Sequence, residues 1–211
     1  MRELAERAAE ILKRLRKLYP DAHCELDFKT PLELLVATIL SAQCTDKRVN
    51  EVTKTLFKKC RTAKDYASIE PSELEGLVRS AGFYRAKAKS IQEAAKTLAA
   101  DFGGKVPATM DELVTLRGVA RKTANVILGS AFGKAEGIVV DTHVKRLSFR
   151  LALSDETEPE KIEADLMRLM ARRDWIFFGH GLVWHGRRVC FARHPNCPGC
   201  GLDAVCPKRG V

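Results

Sequence analysis

Apolar side chains recur at three- and four-residue intervals along almost the whole chain, and prolines and glycines interrupt that pattern often. The period stacks side chains on successive helical turns, so the chain can bury its apolar face only as a set of packed helices. Ile11, Leu15 and Leu18 mark a first helix that stops before Pro20. Thr30-Pro31-Leu32-Glu33 supplies an N-cap, a proline at the first helical position and a capping-box glutamate, opening a helix through Leu35, Val36, Ile39 and Leu40. A third follows Thr45 through Val49, Val52, Thr53, Leu56 and Phe57, and a fourth spans Pro71 to Ser80 with Gly82 beyond its end. Ile91, Ala94, Ala95 and Leu98 stripe a fifth, ending at Gly103-Gly104, and Thr109 with Glu112 opens a short helix that stops near Leu116. Ala124, Ile127, Leu128 and Ala131 define a helix over 121–132, and further helices start near Thr142, at Pro159 and at Asp174, the last running to Val189. Only Gly137-Ile138-Val139-Val140 is strand-like, and four residues make no sheet. The predicted fold class is all-α.

Length and charge narrow the possibilities further. With 211 residues, 45% of them hydrophobic and 30% charged, the chain can supply one large core or two small ones. It contains no run of apolar residues long enough to span a bilayer, and its charged opening is unlike a secretory leader, so a cytoplasmic location is expected. The 36 Lys and Arg against 27 Asp and Glu give a formal +9 at pH 7. Such a surplus suits a polyanion, since counterion release drives non-specific nucleic-acid binding, and it equally suits plain solubility. Its distribution is uneven: residues 151–184 hold seven acidic against four basic side chains, whereas 185–211 hold five basic against one acidic. The inversion near residue 151 and the cysteine-rich end suggest a second lobe packed against the first. The basic residues alternate with Leu, Val and Ala at helical spacing, which describes folded surfaces rather than a disordered arm.

Two local patterns carry chemistry. Leu116-Arg117-Gly118-Val119-Ala120-Arg121-Lys122-Thr123-Ala124-Asn125 lies between two predicted helices with little room for a loop. Gly118 supplies the backbone freedom that so tight a turn needs, and the next helix start offers unpaired N–H groups at a positive dipole end. Arg121 and Lys122 in that first turn oppose the dipole, which points to an anion between them; a solvated basic tip is the bland alternative. At the C-terminal end, Cys190, Cys197, Cys200 and Cys206 follow Cys-x6-Cys-x2-Cys-x5-Cys within 17 residues. In a reducing compartment four crowded cysteines read as ligands of one metal centre. A single Cys-x2-Cys leans away from the paired spacing usual for zinc but does not by itself name another centre. Cys24, Cys44 and Cys60 lie elsewhere and read as ordinary helix residues.

Taken in order, Leu40-Ser41-Ala42-Gln43 with Thr45-Asp46, the hairpin Leu116–Asn125, Val140-Asp141-Thr142-His143 and the cysteine cluster resemble the helix-hairpin-helix DNA glycosylases, specifically the endonuclease III family. The resemblance spans nearly the whole chain. It implies two helical lobes with a DNA-binding cleft between them, residues 22–134 as a six-helix lobe and residues 1–21 with 135–211 as the other, a [4Fe-4S] cluster on the four cysteines, and base-excision repair of duplex DNA carrying damaged bases or abasic sites. A monomer that is cytoplasmic and nucleoid-associated is expected.

On this resemblance Lys122 is the nucleophile of a bifunctional glycosylase and lyase: its amine attacks the sugar C1′, displaces an oxidised pyrimidine and forms a Schiff base, from which β-elimination follows. Mono-functional adenine or mismatch thymine glycosylases carry another residue there, and a non-catalytic iron–sulfur DNA-binding module would not need it. Asp141 resembles the catalytic aspartate, offsetting the oxocarbenium-like charge as the glycosidic bond breaks. An Asp before Thr142 is also a good N-cap, and both roles can hold together. Gln43 resembles the residue inserted opposite an orphaned base, and Phe83 in Gly82-Phe83-Tyr84 the apolar wedge, where leucine is usual; a core residue beside a helix end is the alternative for Phe83. Arg117, Gly118, Val119, Ala120, Arg121, Thr142, His143 and Arg193 are the remaining expected DNA contacts. The family's hairpin usually reads Leu-Pro-Gly-Val-Gly. Here Arg117 replaces the proline and Ala120 the second glycine, which softens the turn and adds a methyl where backbone meets phosphate.

Overall fold

The computed structural model describes residues 2–211. The described chain divides into two compact units, one formed by the chain up to Cys24 together with Ala135–Val211, the other by Glu25–Lys134. Among the described residues all regular elements are helices.

The first unit begins with α1, Arg2–Leu18, which buries Ala8, Ile11 and Leu15. The second unit holds α2 (Pro31–Ser41), α3 (Asp46–Lys59), α4 (Ala63–Ser68), α5 (Pro71–Val78), α6 (Tyr84–Asp101), α7 (Met110–Leu113) and α8 (Arg121–Phe132). Threonine hydroxyls open three of these as the sequence predicts: Thr30 accepts from Glu33 N, Thr45 from Arg48 N and Thr109 from Glu112 N. Each bond satisfies one of the donors a helix start leaves without a partner. Helix α2 is apolar on nearly every side, burying Leu34, Leu35, Val36, Ala37, Ile39 and Leu40. It packs against α3, α6 and α8, and so forms the axis of this unit.

Local differences from the sequence reading have local causes. Helix α4 is an addition, the seventh helix of a unit expected to have six; a full capping box, Thr62 with Asp65, stabilises it although it is too short to show an apolar stripe. The helix expected over Pro71–Ser80 ends at Val78 and tightens into a 3-10 turn, Arg79–Ala81, before Gly82 at φ +71. Helix α7 stops at Leu113 rather than near Leu116, because Thr115 N and Leu116 N reach only to Glu112 O and Leu113 O, turning the chain too tightly for an α-helix. Cys24, Cys44 and Cys60 are not helix residues: Cys24 follows the break at Pro20, Cys44 sits between the end of α2 and the cap of α3, and Cys60 is the C-cap of α3.

The first unit resumes with α9 (Thr142–Arg150), α10 (Pro159–Leu169) and α11 (Trp175–Arg188). Ile138 and Val140 are buried in irregular backbone rather than in a strand. They join Ala8, Ile11, Leu15, Val144, Leu147, Ile162, Leu166, Phe178 and Leu182 in one core, against which Cys190, Cys200 and Cys206 are packed. Gly181 of α11 faces Leu15 of α1, where a Cβ would stand 3.4 Å from Leu15 Cδ1, at ordinary contact distance.

Candidate functional site

The second unit carries the hairpin. Between α7 and α8 the chain makes successive tight turns, the last closed by Val119 N donating to Leu116 O at 3.0 Å. Leu116 and Val119 are anchored in the core, 2% and 5% exposed, whereas Arg117, Gly118, Ala120, Arg121 and Lys122 are all exposed. The hairpin therefore presents backbone and basic side chains outward and hides its two apolar ones; Val119 can meet a ligand only through its main chain. Gly118 has φ +83, and a Cβ there would lie 3.0 Å from Ser90 Cβ. Both the backbone angle and the contact call for glycine. Ala120 is the N-cap of α8 with φ −91° and ψ 171°, an extended conformation open to any residue, and it gives the helix start no side-chain cap. A dipole end capped only by alanine, with Arg117, Arg121 and Lys122 around it, is suited to an anion.

The same unit presents Gln43 and Phe83. Gln43 follows α2 with φ 53° and Phe83 is the N-cap of α6 with φ 47°, both in the left-handed region that side-chain-bearing residues seldom adopt. Gln43 is exposed and Phe83 is 67% exposed, so the core reading of Phe83 does not hold.

In the first unit, Asp141 caps α9. Its Oδ1 accepts from His143 N and Val144 N, both at 2.8 Å, and Oδ2 takes no part in that cap. Thr142 is exposed at the first helical position. His143 is turned inward: Arg146 Nη2 donates to its Nδ1 at 3.2 Å, and its Cβ would be 2.9 Å from any Cβ at position 186, a place only Gly186 can fill. Burial pushes the His143 imidazole below its ordinary value, with Asp141 opposing.

Cys190, Cys197, Cys200 and Cys206 line one cavity together with Leu147, Arg150 and His185. Among the described residues no three His, Cys, Asp or Glu side chains converge tightly on a point where a single ion would touch them all. Burial pushes the Cys200 and Cys206 thiols up, and the neighbouring cysteines add to the rise. Against that, donors are aimed at the sulfurs: Arg150 Nη1 to Cys190 Sγ at 3.3 Å, Leu202 N to Cys200 Sγ at 3.4 Å and Lys208 N to Cys206 Sγ at 3.4 Å. Nε2 of His185 lies 3.3 Å from Cys200 Sγ, and its Nδ1 lies 3.0 Å from the Tyr19 hydroxyl. Burial lowers the His185 pKa to about 4, so its ring is neutral at pH 7. Half-buried thiols surrounded by N–H donors suit thiolates held by a cationic inorganic group. Arg193 is exposed in the loop between the first two cysteines.

The arginines of α9 escape the sequence reading. Arg150, 6% exposed, also donates to Phe191 O at 2.7 Å and Ala192 O at 3.0 Å, and Arg146 donates to Gly186 O and Cys190 O at 2.9 and 2.8 Å.

Residues 36–172 match the family described as HhH-GPD superfamily base excision DNA repair protein. Endonuclease III of Synechocystis sp. is 54% identical over 96% of this chain and 93% of its own. Among solved structures, a trapped endonuclease III–DNA covalent intermediate is 43% identical with a TM-score of 0.91, covering 97% of this chain and 96% of that one. A non-covalent endonuclease III–DNA complex, also 43% identical, has a TM-score of 0.92 over 97% of this chain and 95% of that one. No described helix is long and apolar enough to cross a membrane.

Proposed function

From the fact that the chain belongs to the HhH-GPD superfamily of base excision DNA repair proteins, and within it to the endonuclease III family, we propose that it is a bifunctional DNA glycosylase and abasic-site lyase acting on oxidised pyrimidines in duplex DNA. The observation that carries this reading is the placement of Lys122: an exposed amine in the first turn of a helix whose start has no side-chain cap, directly after a glycine-dependent turn.

The N–H groups around Gly118 and the start of α8 bind backbone phosphate, which brings a sugar within reach of Lys122. The Lys122 amine attacks C1′ as the C1′–N bond to the base breaks, and the base leaves with the bonding pair. Opening of the sugar gives an iminium between Lys122 and C1′. Loss of a C2′ proton then expels the 3′ phosphate, and water frees the lysine. Asp141 balances the positive charge that develops on the sugar, with Oδ1 engaged by the helix cap and Oδ2 available to the reaction. Gln43 and Phe83 fill the space vacated by the extruded nucleotide, Gln43 pairing with the orphaned base and Phe83 stacking. His143, partly buried over Gly186 with its Nδ1 facing Arg146, supports the start of α9 beside Asp141.

Cys190, Cys197, Cys200 and Cys206 fit a [4Fe-4S] cluster in donor type, in their shared cavity and in the N–H groups that face their sulfurs. When bound, the cluster cross-links a segment poor in apolar residues and fixes Arg193 and its neighbours on the surface.

Borohydride trapping tests the assignment on duplexes carrying thymine glycol, an abasic site, or adenine opposite a lesion. The protein should incise the first two and be captured covalently on them. Lys122→Ala should lose both incision and capture with unchanged circular dichroism. Capture through another residue would overturn it.

A further inference from the structure

Lys87, in the first turn of α6, is 5% exposed, yet it carries an ammonium group. Its Nζ donates to two main-chain carbonyls, Leu40 O and Ala81 O, each at 2.8 Å. The two acceptors come from different segments. Leu40 lies in the last turn of α2, where carbonyls have no partner further along the helix, and Ala81 ends the 3-10 turn that follows α5. The negative end of α2 and a carbonyl of the 3-10 turn thus converge on one cation, which explains why an ammonium is tolerated there without a carboxylate. Burial pushes the Lys87 amine below its ordinary value, and the nearby Cys44 opposes that shift.

What the two segments lead to gives the arrangement a purpose. Three residues beyond Leu40 is Gln43, and two beyond Ala81 is Phe83. Both are exposed, and both hold a positive φ, at 53° and 47°. A left-handed conformation at a residue with a side chain persists only when its surroundings fix it. Apolar packing of α2 on α6 joins the helices, but it does not pin the backbone two or three residues before each tip, as the bonds from Lys87 to Leu40 O and Ala81 O do.

We propose that Lys87 is a positioning residue for nucleotide extrusion: by capping the ends of α2 and of the Arg79–Ala81 turn together, it sets the spacing of Gln43 and Phe83, which then enter the duplex as a preformed pair. This rests on the reading of Gln43 and Phe83 as the inserted residues.

The test is a mutant cycle on the full-length holoprotein, read by single-turnover base release from a thymine glycol duplex and by the fluorescence of 2-aminopurine beside the lesion. Lys87→Met keeps the length of the side chain and removes the donors. It should slow both extrusion and base release by about tenfold or more, as expected for misplaced groups, with unchanged helical circular dichroism. Its affinity for undamaged duplex should stay within about twofold, since phosphate contacts dominate there. In a Gln43→Ala/Phe83→Ala background, Lys87→Met should add no further loss. Lys87→Gln, whose shorter and uncharged side chain keeps an NH2 donor group, should give an intermediate rate and replaces the methionine variant if that variant does not fold. Equal losses in both backgrounds would make Lys87 a general stabiliser and overturn the proposal, as would an unchanged rate in Lys87→Met. If Gln43→Ala/Phe83→Ala itself extrudes and excises normally, the reading of those two residues fails, and this proposal fails with it.

Discussion

The hairpin Leu116–Asn125 and the cysteine loop Cys190–Cys206 both hold irregular backbone at a surface, and they do so by opposite means. The hairpin holds itself. Its turns close within the segment, Leu116 and Val119 anchor it, and Gly118 supplies the one unusual backbone angle. The cysteine loop is held from outside. Arg150 and Arg146 reach it from α9, Arg14 of α1 donates to Gly201 O at 3.1 Å, and Leu202 is its buried apolar anchor. A self-closing segment survives the loss of distant partners, whereas a braced one depends on each brace and on whatever its thiolates bind.

Three substitutions would break or sharpen that contrast. The largest effect is expected at Asp141, whose helix cap is as local as the hairpin. Asn accepts the same backbone bonds, so Asp141→Asn should unfold at nearly the wild-type temperature while base release falls by about 10²–10⁴-fold. A large drop in melting temperature with near-normal excision would show that the carboxylate serves the fold alone. Next comes Arg150→Met, which keeps a long apolar stem but strips partners from Cys190 Sγ, Phe191 O and Ala192 O. A buried acceptor left without a donor costs about 1–3 kcal/mol, so thermal stability should fall, and with it the iron that the proposed cluster would hold. Full iron occupancy at wild-type stability would mean the loop needs no brace. The smallest is Ala120→Gly. The position is extended and has no side-chain cap to lose, so stability should change by no more than about 0.5 kcal/mol. Affinity for duplex DNA, followed by fluorescence anisotropy, should rise by at most about threefold as the methyl leaves the phosphate path. A tenfold gain would mean that Ala120 has weakened the hairpin substantially.

The same contrast explains what could be read from the sequence. Helix starts at Thr30, Thr45, Thr109 and Asp141 were legible because a cap and its partners lie within three residues. The hairpin was legible for the same reason, with Gly118 and Lys122 in one ten-residue run. Thr62 with Asp65 carried the same signature for α4, but six residues leave no periodic stripe to support it. The cysteine spacing stood out, whereas its supports did not: Arg150 lies 40 positions from Cys190, and nothing around it in the sequence marks it as buried. Lys87 was equally silent, since a lysine in an amphipathic helix reads as solvated until two other segments are seen to end beside it. Composition and local pattern report chemistry between neighbours in the chain; the braces are chemistry between strangers.

One contact ties the hairpin to α6. Ser90, which leaves no room for a Cβ at Gly118, stands on α6 three residues after Lys87 and seven after Phe83. Positions 87 and 90 fall along one side of α6, and Phe83 is its N-cap. The turn at Gly118 and the residue that opens α6 therefore both meet a single rod. A redesign aimed at a bulkier or smaller lesion would have to exchange residues 83–90 as a block, because altering one mark on that rod shifts the scale by which the others are read.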